Sequence, residues 1–230
     1  THKYGQIETF VPITFNKASL QELPCVFSTV VPLCFFKRIY VFWASALLLI
    51  IFSSVTHASE EVVLRDSFAG NLSFELTGGS QRQITSYTDW WGNNYSSCFN
   101  LNSSTGRLNL DNNSTVKAAY LYWSGSGAID SQVTFANTTV TAPSSTTYTE
   151  AVGDLTFYSA KADVTSLISN TSRNYTVSNL TFDTGSDYCV GGRSYGGWAL
   201  TVIYENTSEP LRVINVFDGF KNFWGQSLTL

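Results

Sequence analysis

Methionine is absent from the chain, and histidine occurs only as His2 and His57, both ahead of Ser59. The segment up to Ala58 reads as a leader, so the remainder carries no imidazole. That excludes a Ser-His-Asp triad and histidine-ligated zinc. Gly192-Arg193-Ser194-Tyr195-Gly196 fits the G-x-S-x-G pattern of a nucleophile elbow, but a strand pattern follows where the elbow needs a helix, so the match is read as accidental. Cysteine is also scarce. Cys25 and Cys34 belong to the leader, which leaves Cys98 and Cys189, too few for a structural zinc site by themselves. In an exported protein these two are expected to form one disulfide, the alternative being two separate buried thiols. A basic stripe is missing as well: from Ser59 onward nine basic residues face fifteen acidic ones, a balance of −6. Nucleic acid is therefore excluded as a partner, because nothing would neutralise its phosphates.

Long uncharged apolar runs are scarce; Val41–Val55, reading VFWASALLLIIFSSV, follows Lys37-Arg38 and ends in Thr56-His57-Ala58. Basic residues, an apolar stretch and then small residues make a secretory signal peptide, with cleavage expected after Ala58. The run is short for a bilayer span; adding Ile39 and Tyr40 leaves an uncleaved anchor as the alternative. Residues 1–36 are expected to be an upstream extension outside the mature protein, with a non-AUG start near Val30, Val31 or Leu33; peptides from Thr1 to Leu20 in purified protein would refute this. Residues 37–58 are expected to be the signal peptide, and residues 59–230 a β-domain that continues past Leu230.

Helical periodicity is nearly lacking too. Ala162–Ile168 is the one place where Val164, Leu167 and Ile168 recur at helical spacing behind a capping Asp163. Strand patterns fill the rest. In Thr115–Trp123, Val116, Ala118, Tyr120 and Tyr122 share one face and Lys117, Ala119, Leu121 and Trp123 the other. Val62–Phe68 and Asn71–Leu76 read as a hairpin turning at Ala69-Gly70, and Asp130–Thr141 as a hairpin turning at Ala136-Asn137. Leu155–Ala162 and Asn174–Phe182 are further strands. Gly196–Phe220 is central: Trp198, Leu200, Val202 and Tyr204 line one face and Ala199, Thr201 and Ile203 the other, so its first half should be covered on both sides. Turn formers at Asn206–Pro210 suggest a hairpin into Leu211–Phe217. The fold class expected is all-β, an antiparallel β-sandwich of jelly-roll type with at most one short helix.

Trp90, Trp91 and Tyr95 lie in a polar loop, where aromatic faces could pack against sugar rings. The preferred expectation is that this loop folds back over an open end of the sandwich, while Trp123 and Trp198 are core. Asp183 to Asp187 and the stretch from Asp111 to Asn113 crowd oxygen donors in short loops, and calcium is the one cofactor they offer; turn formation is the competing account. Glu75 and Glu205 are the carboxylate pair to check for glycoside hydrolysis. Ten Asn-x-Ser/Thr triplets between Asn71 and Asn206 read as composition or as glycosylation acceptors.

The stretches YLYWSGSG (120–127), ADVTSLI (162–168), NYTVSNL (174–180), GGWALTVIYE (196–205) and PLRVINVFDGF (210–220) together resemble a domain found near the N-terminus of large exported bacterial surface proteins. There it precedes tandem immunoglobulin-like repeats. The resemblance covers about Thr115 to Phe220 and implies an adhesin-like surface context, with no catalytic residues to carry over. The expectation is an exported, non-catalytic cell-surface module with an adhesive or structural role, the alternative being a carbohydrate-binding module. Its expected partners are glycans or other surface proteins, and it meets the membrane only through the signal peptide during export.

Overall fold

Alternating apolar and polar residues, broken by Asn, Ser and Gly clusters, give a chain built almost wholly of strands. The computed structural model describes residues 60–190 and 192–221, apart from the side chains of Glu60, Glu61 and Asn94. The segment expected to be an upstream extension and signal peptide, with its cleavage position at Ala58, lies outside the described residues. The strands are β1 (Glu60–Ser80), β2 (Arg82–Thr88), β3 (Asn94–Asn100), β4 (Ser103–Leu108), β5 (Thr115–Ser126), β6 (Gln132–Phe135), β7 (Thr138–Thr141), β8 (Thr147–Val152), β9 (Leu155–Asp163), β10 (Arg173–Ser178), β11 (Gly196–Glu205) and β12 (Leu211–Phe220).

Two sheets carry the core. One has the order β12-β1-β11-β5-β9-β8 and the other β4-β10-β6-β7. Take β1, β4, β5, β6, β7, β9, β10 and β11 as eight successive strands. The first, eighth, third and sixth then lie side by side in one sheet, and the second, seventh, fourth and fifth in the other. That is the winding of a jelly roll. Leu121, Trp123, Phe135, Tyr158, Tyr175, Val177, Trp198 and Leu200 fill the space between the sheets. Both core tryptophans also satisfy their indole N–H, Trp123 on the Asp130 carbonyl (2.7 Å) and Trp198 on the Ser104 hydroxyl (2.7 Å).

The outer face of the large sheet is covered as well. β1 pairs with β12 along Glu60–Asn71 and with β11 along Leu72–Ser80. Gly70 sits at the changeover with φ +152°, a conformation that side chains rarely permit, and there the strand changes partner without reversing. The first half of β1 and β12 form a ribbon whose Phe68, Ile214 and Val216 pack with Ala118, Tyr120, Tyr122 and Ile203. This ribbon is a third layer.

Two expected hairpins are thereby corrected. Ala69-Gly70 does not reverse the chain, because the glycine is spent on redirecting one continuous strand. Asn206–Pro210 does not make a hairpin either: β11 and β12 both run antiparallel to β1, hence in the same direction, and do not pair with each other. The face assignment in β5 is corrected at its start, where a bulge leaves Lys117 unpaired between Val116↔Tyr204 and Ala118↔Ile203. Val116 therefore packs with the inner core, and Lys117 reaches Glu205 on the outer side. The helix expected over Ala162–Ile168 is a single 3-10 turn, Thr165–Leu167, with the Thr165 N–H bonded to the Asp163 carboxylate at 2.8 Å. One turn of α-helix, α1 (Ser186–Cys189), stands instead in the glycine-rich loop. The Ala136-Asn137 turn is as expected, with both residues at positive φ.

Candidate functional site

Asp89 organises the most exposed part of the molecule. Its carboxylate accepts the backbone N–H groups of Trp91 (3.0 Å) and Asn93 (2.7 Å) and the Asn93 side-chain amide (3.0 Å). The Gly92 N–H bonds the Asp89 carbonyl at 3.0 Å, and Gly92 takes φ +86°. A turn closed by a left-handed glycine joins β2 to β3, which pair from Arg82↔Asn100 to Thr88↔Asn94. The amide hydrogen bond from Asn93 holds the Asp89 carboxyl below its ordinary range.

The pairing sorts the hairpin into two faces. Arg82, Ile84, Ser86, Ser96, Cys98 and Asn100 lie on one of them. This is the face that meets the sandwich, through the Cys98–Cys189 disulfide (Cα–Cα 5.6 Å), the Asn100 side-chain amide on the Leu180 carbonyl (2.9 Å) and the Arg82 guanidinium on the Ser194 carbonyl. Tyr87, Tyr95 and Phe99 lie on the other face, with the Tyr87 and Tyr95 rings stacked 5.1 Å apart. Trp90 (83% exposed), Trp91 (71%) and Tyr87 (59%) stand in solvent, as do Tyr95 and Phe99. The expectation that this loop folds back as packing is corrected: its turn is closed by its own hydrogen bonds and the tryptophans cover nothing. Sequence reasoning also missed Tyr87 and Phe99. The alternation of Tyr87, Thr85 and Gln83 was the signal available.

The expected disulfide is present, and it clamps α1 to the root of the hairpin. The calcium candidates serve turns. The Asp183 carboxylate accepts the Gly185 N–H at 2.7 Å, Asp187 receives the Ser186 hydroxyl at 3.4 Å in α1, and the Asp111 carbonyl accepts the Ser114 N–H at 3.2 Å. Among the described residues no group of three His, Cys, Asp or Glu side chains comes together as a metal site. Glu75 and Glu205 are not brought together as a pair. Glu75 faces Val202 on the inner side of the sheet, whereas Glu205 faces Leu72 on the outer side and bonds Lys117 at 3.1 Å. Ser194 is fully buried and donates its hydroxyl to the Asp183 carbonyl at 2.9 Å. Asn206 is buried with its amide on the Asn112 carbonyl and Ser114 hydroxyl, while Asn102, Asn137 and Asn170 are exposed.

A second polar cluster, which sequence reasoning missed entirely, lies beneath the β1–β12 ribbon. Asp218 accepts Arg65 Nε (2.7 Å) on one oxygen, and Lys161 Nζ (2.5 Å) and the Tyr122 hydroxyl (3.1 Å) on the other. The Tyr120 hydroxyl donates to Asp66 at 2.6 Å. Arg65 is the unpaired residue of a bulge between Leu64↔Phe217 and Asp66↔Val216, and the bulge is what re-aims it at Asp218. Burial, then the nearby carboxylates, push both the Tyr120 and Tyr122 hydroxyls far above their ordinary range.

Fold and site together define an all-β sandwich of jelly-roll winding that displays a disulfide-anchored aromatic hairpin. Comparison with protein-family models, with curated proteins and with solved structures finds no match.

Proposed function

We propose that this chain is an exported, non-catalytic module of a cell surface with an adhesive or structural role, and that the β2–β3 hairpin is its contact element. One observation carries the reading: Tyr87, Trp90, Trp91, Tyr95 and Phe99 are all exposed on a single tethered projection. Aromatic surface held in water on a rigid support gains free energy when a partner covers it, and aromatic residues dominate such contacts. The disulfide suits an oxidising compartment, and the resemblance over Thr115–Phe220 to a domain of bacterial surface proteins supports the surface setting. The signal-peptide reading of residues 37–58 belongs to the same proposal.

A second reading, a carbohydrate-binding module, is favoured by the adjacent indoles of Trp90 and Trp91, whose faces suit the apolar faces of sugar rings. Both readings are tested by exchanging Trp90→Ala and Trp91→Ala together and measuring retention on immobilised polysaccharides and on intact cells. Loss on polysaccharides establishes the second reading, and loss on cells alone establishes a protein contact. Retention equal to that of the parent on every surface overturns the hairpin as the contact element.

A further inference from the structure

Lys161 and Asp218 belong to strands that never pair, β9 in the sandwich and β12 in the ribbon laid across it. Their side chains are only 13% and 12% exposed, and Nζ lies 2.5 Å from Oδ2. The lysine nitrogen sits over the Tyr120 ring (5.1 Å) and beside that of Tyr122 (5.9 Å), which shield it from water. An ion pair in such a place loses much of its hydration, and a neutral amide would not. Held in contact, amine and carboxyl also react as if at very high concentration.

We propose that Lys161 and Asp218 condense to an intramolecular amide that fastens the ribbon to the sandwich covalently. The lysine ammonium first passes one proton to the Asp218 carboxylate, leaving a free amine beside a neutral acid. Nζ then attacks Cγ. Arg65 Nε, which donates to Oδ1, stabilises the oxygen that becomes negative in the tetrahedral intermediate. Oδ2, already carrying the first proton, takes a second directly from Nζ, with which it is in contact, and departs as water, while the Tyr122 hydroxyl holds that oxygen in place by its hydrogen bond. One C–N bond forms and one C–O bond breaks; two hydrogens leave the nitrogen with the oxygen, and nothing is oxidised or reduced. Lys161 and Asp218 are the reacting groups, and no added reagent is required.

The test is a tryptic digest of the purified, reduced protein read by mass spectrometry. The linkage blocks cleavage at Lys161, so the expected product is a branched peptide joining residues 118–173 to residues 213–221, lighter than the sum of the two by one water. Lys161→Arg keeps the cation and the ion pair but cannot form this bond. It should give linear peptides only, and its unfolding transition should lie below that of the parent. Linear peptides 118–161, 162–173 and 213–221 from the parent protein would overturn the proposal and leave a simple ion pair.

Discussion

Two two-stranded ribbons hang on the same sandwich, and they differ in what their inward faces carry. The β1–β12 ribbon turns Phe68, Ile214 and Val216 onto the large sheet, closes over Asp218, Arg65 and Lys161, and becomes a layer of the core. The β2–β3 hairpin turns Ser86, Ser96 and Cys98 inward and keeps its aromatics outside, so it is held at its root by one disulfide and a few hydrogen bonds. A ribbon with an apolar inner face is secured along its length. One with a polar inner face is fastened at a point and remains available to a partner.

Exchanging both Cys98 and Cys189 for Ala should break the contrast most strongly. The bond closes a loop of 91 residues, and its loss should cost about 4 kcal/mol in denaturant unfolding while raising protease sensitivity first in residues 82–100. Asp218→Ala should rank next, at about 3 kcal/mol, because Arg65 and Lys161 would be left part-buried with one shared acceptor gone. Hydrogen exchange should then rise in β12 and leave β2 and β3 unchanged.

Alkali should separate the ribbons by another route. Tyr120 and Tyr122 have folded values raised above the ordinary 10.0, so the unfolded chain loses those protons first. Stability is intact below about pH 10 and should fall as pH rises beyond it, with β12 exchanging before the hairpin. Trp90→Ala with Trp91→Ala should move the unfolding midpoint by an amount equivalent to less than about 0.5 kcal/mol, since neither indole packs on the sandwich. A larger loss would show that the hairpin is core after all. The smallest expected effect is at Asp89. Its lowered value stabilises the turn above the ordinary 3.8, and that contribution should vanish as pH falls through and below 3.8. Amide exchange at Trp91 and Asn93 should quicken there while the core stays protected.

The jelly-roll core was legible because β5 and β11 alternate apolar residues on both faces, and only strands covered on both sides do so. The disulfide was legible because Cys98 and Cys189 are the two cysteines after Ser59. The ribbon was not. Gly70 reads equally as a turn or as a kink, and Asn206–Pro210 reads equally as a reversal or as a crossing. The candidate contact surface was half legible: Trp90, Trp91 and Tyr95 stood out as aromatics among polar neighbours, but local pattern pointed to their being covered.

Composition and periodicity by themselves determined the class of fold, the two-sided central strands and the absence of imidazole chemistry after Ser59, since these follow from side-chain hydropathy and chemical inventory. Only the tertiary structure decided which strands pair and which charges meet. Arg65 and Asp66 are neighbours, but Lys161 and Asp218 are far from them and from each other along the chain, and their convergence depends on the β1 bulge, the Gly70 kink and the winding of the sheets. Those are long-range choices of register, which no local window of residues encodes.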